Sequence, residues 1–299
     1  MKKWIEAARL RTLPLSVSGI IVGSSYAYYK GHDNWKIVVL ALLTTLFFQI
    51  LSNFANDYGD GVKGTDNENR VGPKRAIQSG AISVSQMKRA IFITSLLSLL
   101  SAVALIYVAF GKKDFGYSLL FFFLGIASIV AAIKYTVGKG AYGYSGFGDV
   151  FVFIFFGLVS VLGSNFLFAK QFDWLLVLPA ISIGMLSVAV LNLNNMRDIE
   201  NDKNSGKNTL VVKMGLISAK QYHHFLVFTP LLLMLLFSVL TKTSVIPVLI
   251  TSFVMIKHIK VVNKAQTYKD FDPELKKVAL GTFLLSLLFF VFLVLLRHH

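Results

Sequence analysis

The chain has 299 residues, of which 55% are hydrophobic and only 15% are charged, and its net charge is +15. A soluble domain of this length carries about 25% charged residues, so the composition argues against an ordinary soluble protein. There is no cysteine, which excludes disulfides, a thiolate nucleophile and a zinc–thiolate site.

The apolar residues fall in long blocks that recur from one end of the chain to the other. A helix needs roughly 20 mostly apolar residues to cross the hydrocarbon core of a bilayer. The blocks predict an all-α integral membrane protein with one transmembrane domain over 1–299. We expect about nine spans, near 13–30, 37–56, 90–110, 116–134, 148–168, 174–195, 223–240, 244–260 and 278–297.

The basic residues indicate how these spans are oriented. With nine spans, most of the 30 Lys and Arg residues fall in loops on the side of the N-terminus. Excess Lys and Arg in short loops marks the cytoplasmic face, so we expect a cytoplasmic N-terminus. This distribution explains the positive charge without nucleic acid as a partner.

The acidic residues are scarce, and seven of the 15 lie in two short segments. One segment follows the second predicted span and the other follows the sixth, in polar loops near 53–89 and 194–222, so both should face the cytoplasm. Residues three and four apart share one face of a helix. Each segment therefore predicts a row of one amide and two carboxylates, namely Asn53, Asp57 and Asp60, and Asn194, Asp198 and Asp202.

These oxygen-rich rows suit Mg²⁺, which prefers octahedral oxygen ligands and is usually shared with substrate phosphates. We predict that both rows, together with Asp66, hold Mg²⁺ ions that bridge a diphosphate. The predicted catalytic residues are Asp57, Asp60, Asp198 and Asp202. Basic side chains in the same loops should neutralise the remaining phosphate charge, and they are Arg70, Lys74, Arg75, Arg197 and Lys207.

The predicted metal site favours an enzyme that ionises a polyprenyl diphosphate. Loss of diphosphate from an allylic carbon leaves a carbocation, so the leaving group must be stabilised electrostatically and no protein nucleophile is needed. The lipid bilayer also suits a long isoprenoid tail, which can lie among apolar spans while its diphosphate stays at the polar rim.

The two acidic segments resemble the signatures of the UbiA superfamily of intramembrane prenyltransferases, above all its branch in menaquinone biosynthesis. That branch typically shows Asn-Asp-Tyr-x-Asp-x-x-x-Gly-x-Asp, which is met from Asn56 to Asp66. Its second pattern, Asn-Asn-x-Arg-Asp-x-x-x-Asp-x-x-x-Gly-Lys-x-Thr-Leu, is met from Asn194 to Leu210.

The resemblance implies about nine helices around a central cavity, in the inner membrane of a bacterium, with no obligate protein partner. It further implies Mg²⁺-dependent transfer of a polyprenyl chain to 1,4-dihydroxy-2-naphthoate with decarboxylation, giving a precursor of demethylmenaquinone. Four residues are predicted to bind this acceptor: Arg11, Asn56, Tyr58 and Lys139. For Arg11, which precedes the first span, anchoring at the cytoplasmic face is the alternative role. The loop Tyr135–Tyr144 lacks the two prolines typical of relatives, so the resemblance does not define its geometry.

Three alternative functions stay open. The acceptor can be another aromatic acid such as 4-hydroxybenzoate. A CDP-alcohol phosphotransferase also uses paired Asp motifs, but that family keeps them in one segment. A cation transporter would coordinate its ions near the bilayer midplane at broken helices, whereas these acidic residues lie at span ends.

Overall fold

The computed structural model describes residues 1–68 and 70–297, without the side chain of Arg11. Apart from short 3₁₀ turns and loops, the described chain is helical. Its α-helices are α1 (Lys2–Ala8), α2 (Leu13–Tyr29), α3 (Trp35–Lys63), α4 (Val84–Phe110), α5 (Phe115–Lys134), α6 (Gly148–Val152), α7 (Ser164–Ala169), α8 (Val177–Arg197), α9 (Ile199–Asn204), α10 (Leu210–Thr241), α11 (Ile246–Lys264) and α12 (Asp272–Arg297). A π-helix, Phe153–Gly163, joins α6 and α7 into one span, Gly148–Ala169.

The predicted membrane fold is confirmed. Among the helices that the structure describes, eight are long and apolar enough to cross a membrane. The remaining predicted span corresponds to α2, which has 17 residues and is therefore about 25 Å long at 1.5 Å per residue. Among the described residues, eight helices therefore qualify as spans and α2 is a shorter ninth helix, so the predicted count of about nine is approximate.

Several helices continue beyond the apolar blocks, because polar residues outside the blocks cap them. The helix α4 starts at Val84, where Ser83 and Gln86 form a capping box. The helix α10 starts at Leu210, after Thr209 accepts a hydrogen bond from a backbone N–H of the first turn, and a kink at the non-helical Gly215 separates this capped start from the long remainder of the helix. The helix α3 continues to Lys63 and ends at Gly64, so its last turns carry the first acidic segment beyond the predicted span.

The helices pack around a cavity, with α8 as the most buried span. The helix α12 packs against α2, α8 and α11, which brings the last span against the first. The π-helix crosses α8 at Gly157, where an added Cβ would lie 2.6 Å from the carbonyl oxygen of Ala180. Small residues at such crossings let helix backbones approach closely in membranes.

The two acidic segments lie at the same end of the bundle. One comprises the end of α3 and the loop 64–83, and the other comprises the end of α8 from Asn194, Asp198, α9 and the residues that follow α9 to Thr209. The side-chain amide of Asn201 in α9 donates a 2.9 Å hydrogen bond to the carbonyl of Thr65, which directly joins the two segments. This end of the bundle carries the candidate site.

Candidate active site

Asp57 holds the loop 64–83 against the end of α3. Its two carboxylate oxygens accept hydrogen bonds from the backbone N–H groups of Ala76, at 3.0 Å, and Ile77, at 3.2 Å. Both donors lie about 20 residues further along the chain, so Asp57 fixes the return path of the loop. The side chain is buried.

The two asparagines of the first segment make contacts away from the carboxylates. Asn53 donates to the carbonyl of Ala8 at 2.8 Å, and its oxygen accepts from Gln49 at 3.3 Å. The oxygen of Asn56 accepts from the hydroxyl of Thr136 at 3.3 Å. Both asparagines nevertheless line the central cavity.

Asp60 faces the second segment through Lys207. The Lys207 ammonium lies 3.5 Å from a carboxylate oxygen of Asp60 and 4.0 Å from one of Asp202. The other oxygen of Asp60 accepts a 2.8 Å hydrogen bond from the hydroxyl of Tyr144. All three charged side chains are buried, so one lysine bridges an aspartate of each predicted row.

The second predicted row, Asn194, Asp198 and Asp202, does not lie on one continuous helix, because α8 ends at Arg197 and α9 begins only at Ile199. Asp198 sits at the break, where it accepts two hydrogen bonds from the guanidinium of Arg197, at 3.0 and 2.7 Å. Arg197 also binds the oxygen of Asn194 and a carboxylate oxygen of Asp272 in α12. The predicted diphosphate ligand Arg197 therefore binds protein oxygens on three sides.

Arg70 links the two segments a second time. Its guanidinium lies 3.1 Å from Asp66 and 3.5 Å from Asp198. Asp66 also lies 3.7 Å from Arg75, yet its second carboxylate oxygen is buried and has no hydrogen-bond partner. The structure thus brings together the predicted residues Asp60, Asp66, Arg70, Asp198, Asp202 and Lys207, which are far apart in sequence.

The ionisation of these groups reflects their burial. Burial, together with the neighbouring Asp60, raises the pKa of Asp66 to about 7 against the opposing effect of Arg70. Burial likewise raises the pKa of Asp202 to about 7. Burial alone would lower the pKa of Lys207, but Asp60 and Asp202 outweigh that effect and raise it above its usual value. The lysine therefore keeps its charge, whereas an approaching cation would favour the carboxylate forms of the two carboxyl groups, which then release their protons to water.

The chemistry of this cluster fits a hard cation. Its donors are carboxylate oxygens, which Mg²⁺ prefers, and the free oxygen of Asp66 offers an unused acceptor. Within residues 1–68 and 70–297, however, no three acidic or histidine side chains surround one point as a metal site. Asp57 is engaged by backbone N–H groups and Asp198 by Arg197, so these two would have to exchange partners to bind a metal.

Two members of this cluster, Asp60 and Lys207, line the mouth of a cavity of about 400 Å³ inside the bundle. Polar residues at the mouth include Asn56, Asp60 and Lys207, whereas Leu105 and Phe121 line the far end. Phe151, Phe155 and Phe156 line the wall between these ends. The cavity therefore offers a charged entrance and an apolar, aromatic interior, as an amphipathic substrate with an anionic head would require.

Some predicted site residues lie elsewhere. Lys74 is exposed in the loop 64–83. Tyr58 and Lys139 line a second, outer pocket instead of the central cavity. The side chain of Arg11 lies outside the described part of the structure, so its predicted contact with the acceptor stays a prediction.

Two residues that the sequence patterns did not assign also belong to the site. Arg9, between α1 and α2, lines the cavity mouth, and its buried Nη2 atom has no hydrogen-bond partner. Burial lowers its pKa to about 10 against the opposing effect of Asp57, so it stays charged. Tyr144 binds Asp60 from the loop that departs from the family pattern. Arg9 had no sequence signal beyond its place before the first predicted span, and Tyr144 had only its position in the loop Tyr135–Tyr144.

Comparison with known proteins gives one consistent result. Residues 16–287 match the model of the UbiA prenyltransferase family. The 1,4-dihydroxy-2-naphthoate octaprenyltransferase of Escherichia coli is 43% identical over 96% of this chain and 93% of its own length. The enzyme of the same name from Haemophilus influenzae is 42% identical over 97% of this chain and 94% of its own length.

Solved structures show the same architecture. A homologue from Aeropyrum pernix matches with a TM-score of 0.72 at 14% identity, over 97% of this chain and 99% of that one. A homologue from Archaeoglobus fulgidus, bound to GPP and Mg²⁺, matches with a TM-score of 0.69 at 14% identity, over 99% and 100% of the two chains. At these identities the likeness shows the fold.

Proposed function

The chain belongs to the UbiA prenyltransferase family, and on that premise we propose that it transfers a polyprenyl chain from polyprenyl diphosphate to 1,4-dihydroxy-2-naphthoate. The observation that carries this proposal is the meeting of two distant acidic segments over the mouth of an apolar cavity. The choice of acceptor is supported by the name of the relatives that are 42–43% identical over nearly their whole length.

The charged mouth is the proposed diphosphate site. The proposed metal ligands are Asn53, Asp57, Asp60, Asp66, Asn194, Asp198 and Asp202, and bound Mg²⁺ would supply charge neutralisation of the diphosphate leaving group. Arg70, Arg75 and Lys207 contact or approach these carboxylates, so they are placed to move onto phosphate oxygens. Arg9 adds a cationic group with a free donor at the same mouth.

The proposed reaction breaks two bonds and forms one. The bond between the allylic carbon and the diphosphate oxygen breaks, and its electrons leave with diphosphate. The ring carbon that carries the carboxylate then bonds to the allylic carbon. The bond to the carboxylate breaks in turn, which releases CO₂ and returns its electron pair to the ring. The aromatic walls of the cavity stabilise the transient cation through their ring faces and exclude water.

The chain is a multi-pass membrane protein, and we place it in the inner membrane of a bacterium with the site at the cytoplasmic end. The Lys and Arg residues that the sequence concentrates on this side support that orientation.

The reaction is tested with purified protein in liposomes, Mg²⁺, a polyprenyl diphosphate and dihydroxynaphthoate labelled with ¹⁴C in the carboxylate. We expect a prenylated product and release of labelled CO₂, with no product when Mg²⁺ is chelated. A parallel reaction with 4-hydroxybenzoate tests the alternative acceptor, and faster turnover of that acid would overturn the assignment.

The site residues are tested by Asp57→Ala and Asp198→Ala, which should abolish turnover while the protein still inserts into the membrane. The matched control is Asp114→Ala, which removes a half-buried aspartate paired with Lys170 away from the site and should retain wild-type turnover. Wild-type turnover by either site variant would contradict the metal assignment.

A further inference from the structure

A second pocket opens beside the active site and has no role in the chemistry described above. This outer pocket has a volume of about 720 Å³ and is lined by the end of α3, residues 137–141 with Tyr144 and Ser145, and Ser205 after α9. The outer pocket lies at the same end of the bundle as the acidic cluster, because Tyr144 lines the pocket and also donates a hydrogen bond to Asp60.

The lining of the outer pocket combines positive charge with aromatic surface. Lys63 and Lys139 supply two exposed ammonium groups, and Tyr58 and Tyr144 supply two rings. The ammonium of Lys63 lies 3.9 Å from the centre of the Tyr144 ring. A carboxylate beside the lysines and a flat aromatic system against the tyrosines would satisfy both features.

Tyr144 separates the outer pocket from the catalytic carboxylates. Its ring forms part of the pocket wall, while its hydroxyl donates to Asp60 at 2.8 Å and lies 2.5 Å from the hydroxyl of Thr65. Asp60 in turn lines the central cavity. Tyr144 therefore lies between the outer pocket and a residue of the cavity mouth.

We propose that the outer pocket is a docking site for the acidic aromatic acceptor, and that Tyr144 is the side chain which this acceptor displaces to reach the cavity. The polyprenyl diphosphate does not use this pocket, because its tail requires the apolar cavity. The proposal deepens the proposed function and rests on it.

The test is the double variant Lys63→Gln/Lys139→Gln. One assay varies the concentration of dihydroxynaphthoate at saturating polyprenyl diphosphate, and a second assay varies polyprenyl diphosphate at saturating dihydroxynaphthoate. Each exposed ion pair contributes up to about 1 kcal/mol. We therefore expect the KM for the acceptor to rise about three- to tenfold, with kcat and the KM for polyprenyl diphosphate unchanged. The matched control is Lys203→Gln, which neutralises an exposed lysine of α9 that does not line the pocket.

Binding of two fluorescent probes to the wild type and the double variant gives a readout that does not depend on turnover. The double variant should bind 1-hydroxy-2-naphthoate about three- to tenfold more weakly and 1-naphthol, which lacks the carboxylate, as the wild type does. An unchanged acceptor KM, an equal rise in both KM values, or the same effect in Lys203→Gln would overturn the docking site while leaving the proposed function intact. Absence of turnover with dihydroxynaphthoate in the wild type would instead overturn the proposed function.

Discussion

At the scale of single residues, the site is defined by charges that are buried and shared between distant parts of the chain. Lys207 lies between Asp60 and Asp202, and Arg70 lies between Asp66 and Asp198. Removing one member of such a pair would leave the other charge buried without a partner, which is strongly destabilising. The pairs therefore hold the two acidic segments together until a ligand with its own charges replaces them.

The raised pKa values of Asp66 and Asp202 predict how the stability of the metal-free protein depends on pH. The pKa of each carboxyl group is about 7 in the folded protein and about 4 in the unfolded chain. Between these values the folded state binds more protons than the unfolded state, so stability falls as the pH rises. We expect the thermal midpoint in Mg²⁺-free detergent to fall from about pH 5 to pH 7, with a shallower fall for Asp66→Asn. An identical slope in that variant would contradict the assignment.

Replacing Arg9 should weaken the binding of the diphosphate substrate. Its free guanidinium nitrogen lies at the cavity mouth among carboxylates, and a hydrogen bond to a charged group contributes about 1.5–3 kcal/mol. Arg9→Met should therefore lower kcat/KM for polyprenyl diphosphate by about tenfold to a hundredfold. The control is Arg89→Met, at an exposed position of α4, and equal activity of the two variants would remove Arg9 from the site.

At the scale of elements, the breaks and ends of helices place the functional groups. The interruption of α8 at Asp198 and the end of α3 at Gly64 each turn the chain back over the cavity mouth. The loop 64–83 is held at Thr65 by Asn201, at Arg70 by Asp198, and at Ala76 and Ile77 by Asp57. The order of the loop around Ala76 and Ile77 therefore depends on the carboxylate of Asp57.

Asp57→Ala should loosen that loop even without substrate. Two hydrogen bonds to a charged group are lost, so we expect the amide hydrogens of Ala76 and Ile77 to exchange at least about tenfold faster. Hydrogen exchange measured by mass spectrometry on the metal-free protein checks this expectation. Asp60→Ala, which removes a neighbouring carboxylate without touching these amides, should leave their exchange unchanged. Similar protection in both variants would show that Asp57 does not hold the loop.

At the scale of the whole molecule, a buried polar network joins four helices away from the cavity. The ring nitrogens of His223 in α10 and His258 in α11 lie 2.7 Å apart. His258 also contacts Glu274 of α12 at 2.6 Å, and His223 contacts Asn192 of α8 at 3.2 Å. Since α12 also contributes Asp272 to Arg197, this network stabilises the helix that supports the second acidic segment.

Breaking this network should destabilise the whole bundle. His258→Leu removes the partner of the His223 Nε2 atom and of one buried carboxylate oxygen of Glu274, which costs about 2–3 kcal/mol. A lower midpoint of thermal unfolding in detergent would report that loss. His224→Ala, at an exposed contact with Asn263, should change stability by no more than about 0.5 kcal/mol. An equally small effect of His258→Leu would show that the network does not stabilise the bundle.

The sequence by itself determined the membrane class, the approximate spans and the two acidic segments. Apolar blocks and the placement of Asp57 or Asp198 at span ends are local properties, which need no knowledge of neighbouring helices. The family match and the relatives that are 42–43% identical confirm the class of enzyme, and the solved structures confirm the fold. The sequence could not show that α8 breaks at Asp198, because its helical spacing continues through that position.

Only the tertiary structure decided which side chains meet. Tyr144 lies 84 residues from Asp60, and Lys207 lies 147 residues from it, yet all three meet because helix packing brings α3 and the segments after α5 and α9 to one end of the bundle. Arg9 joins this site for the same reason, although its sequence neighbours mark only a span boundary. Local patterns specify each helix, but the partners of a buried charge are set by the packing of all helices together.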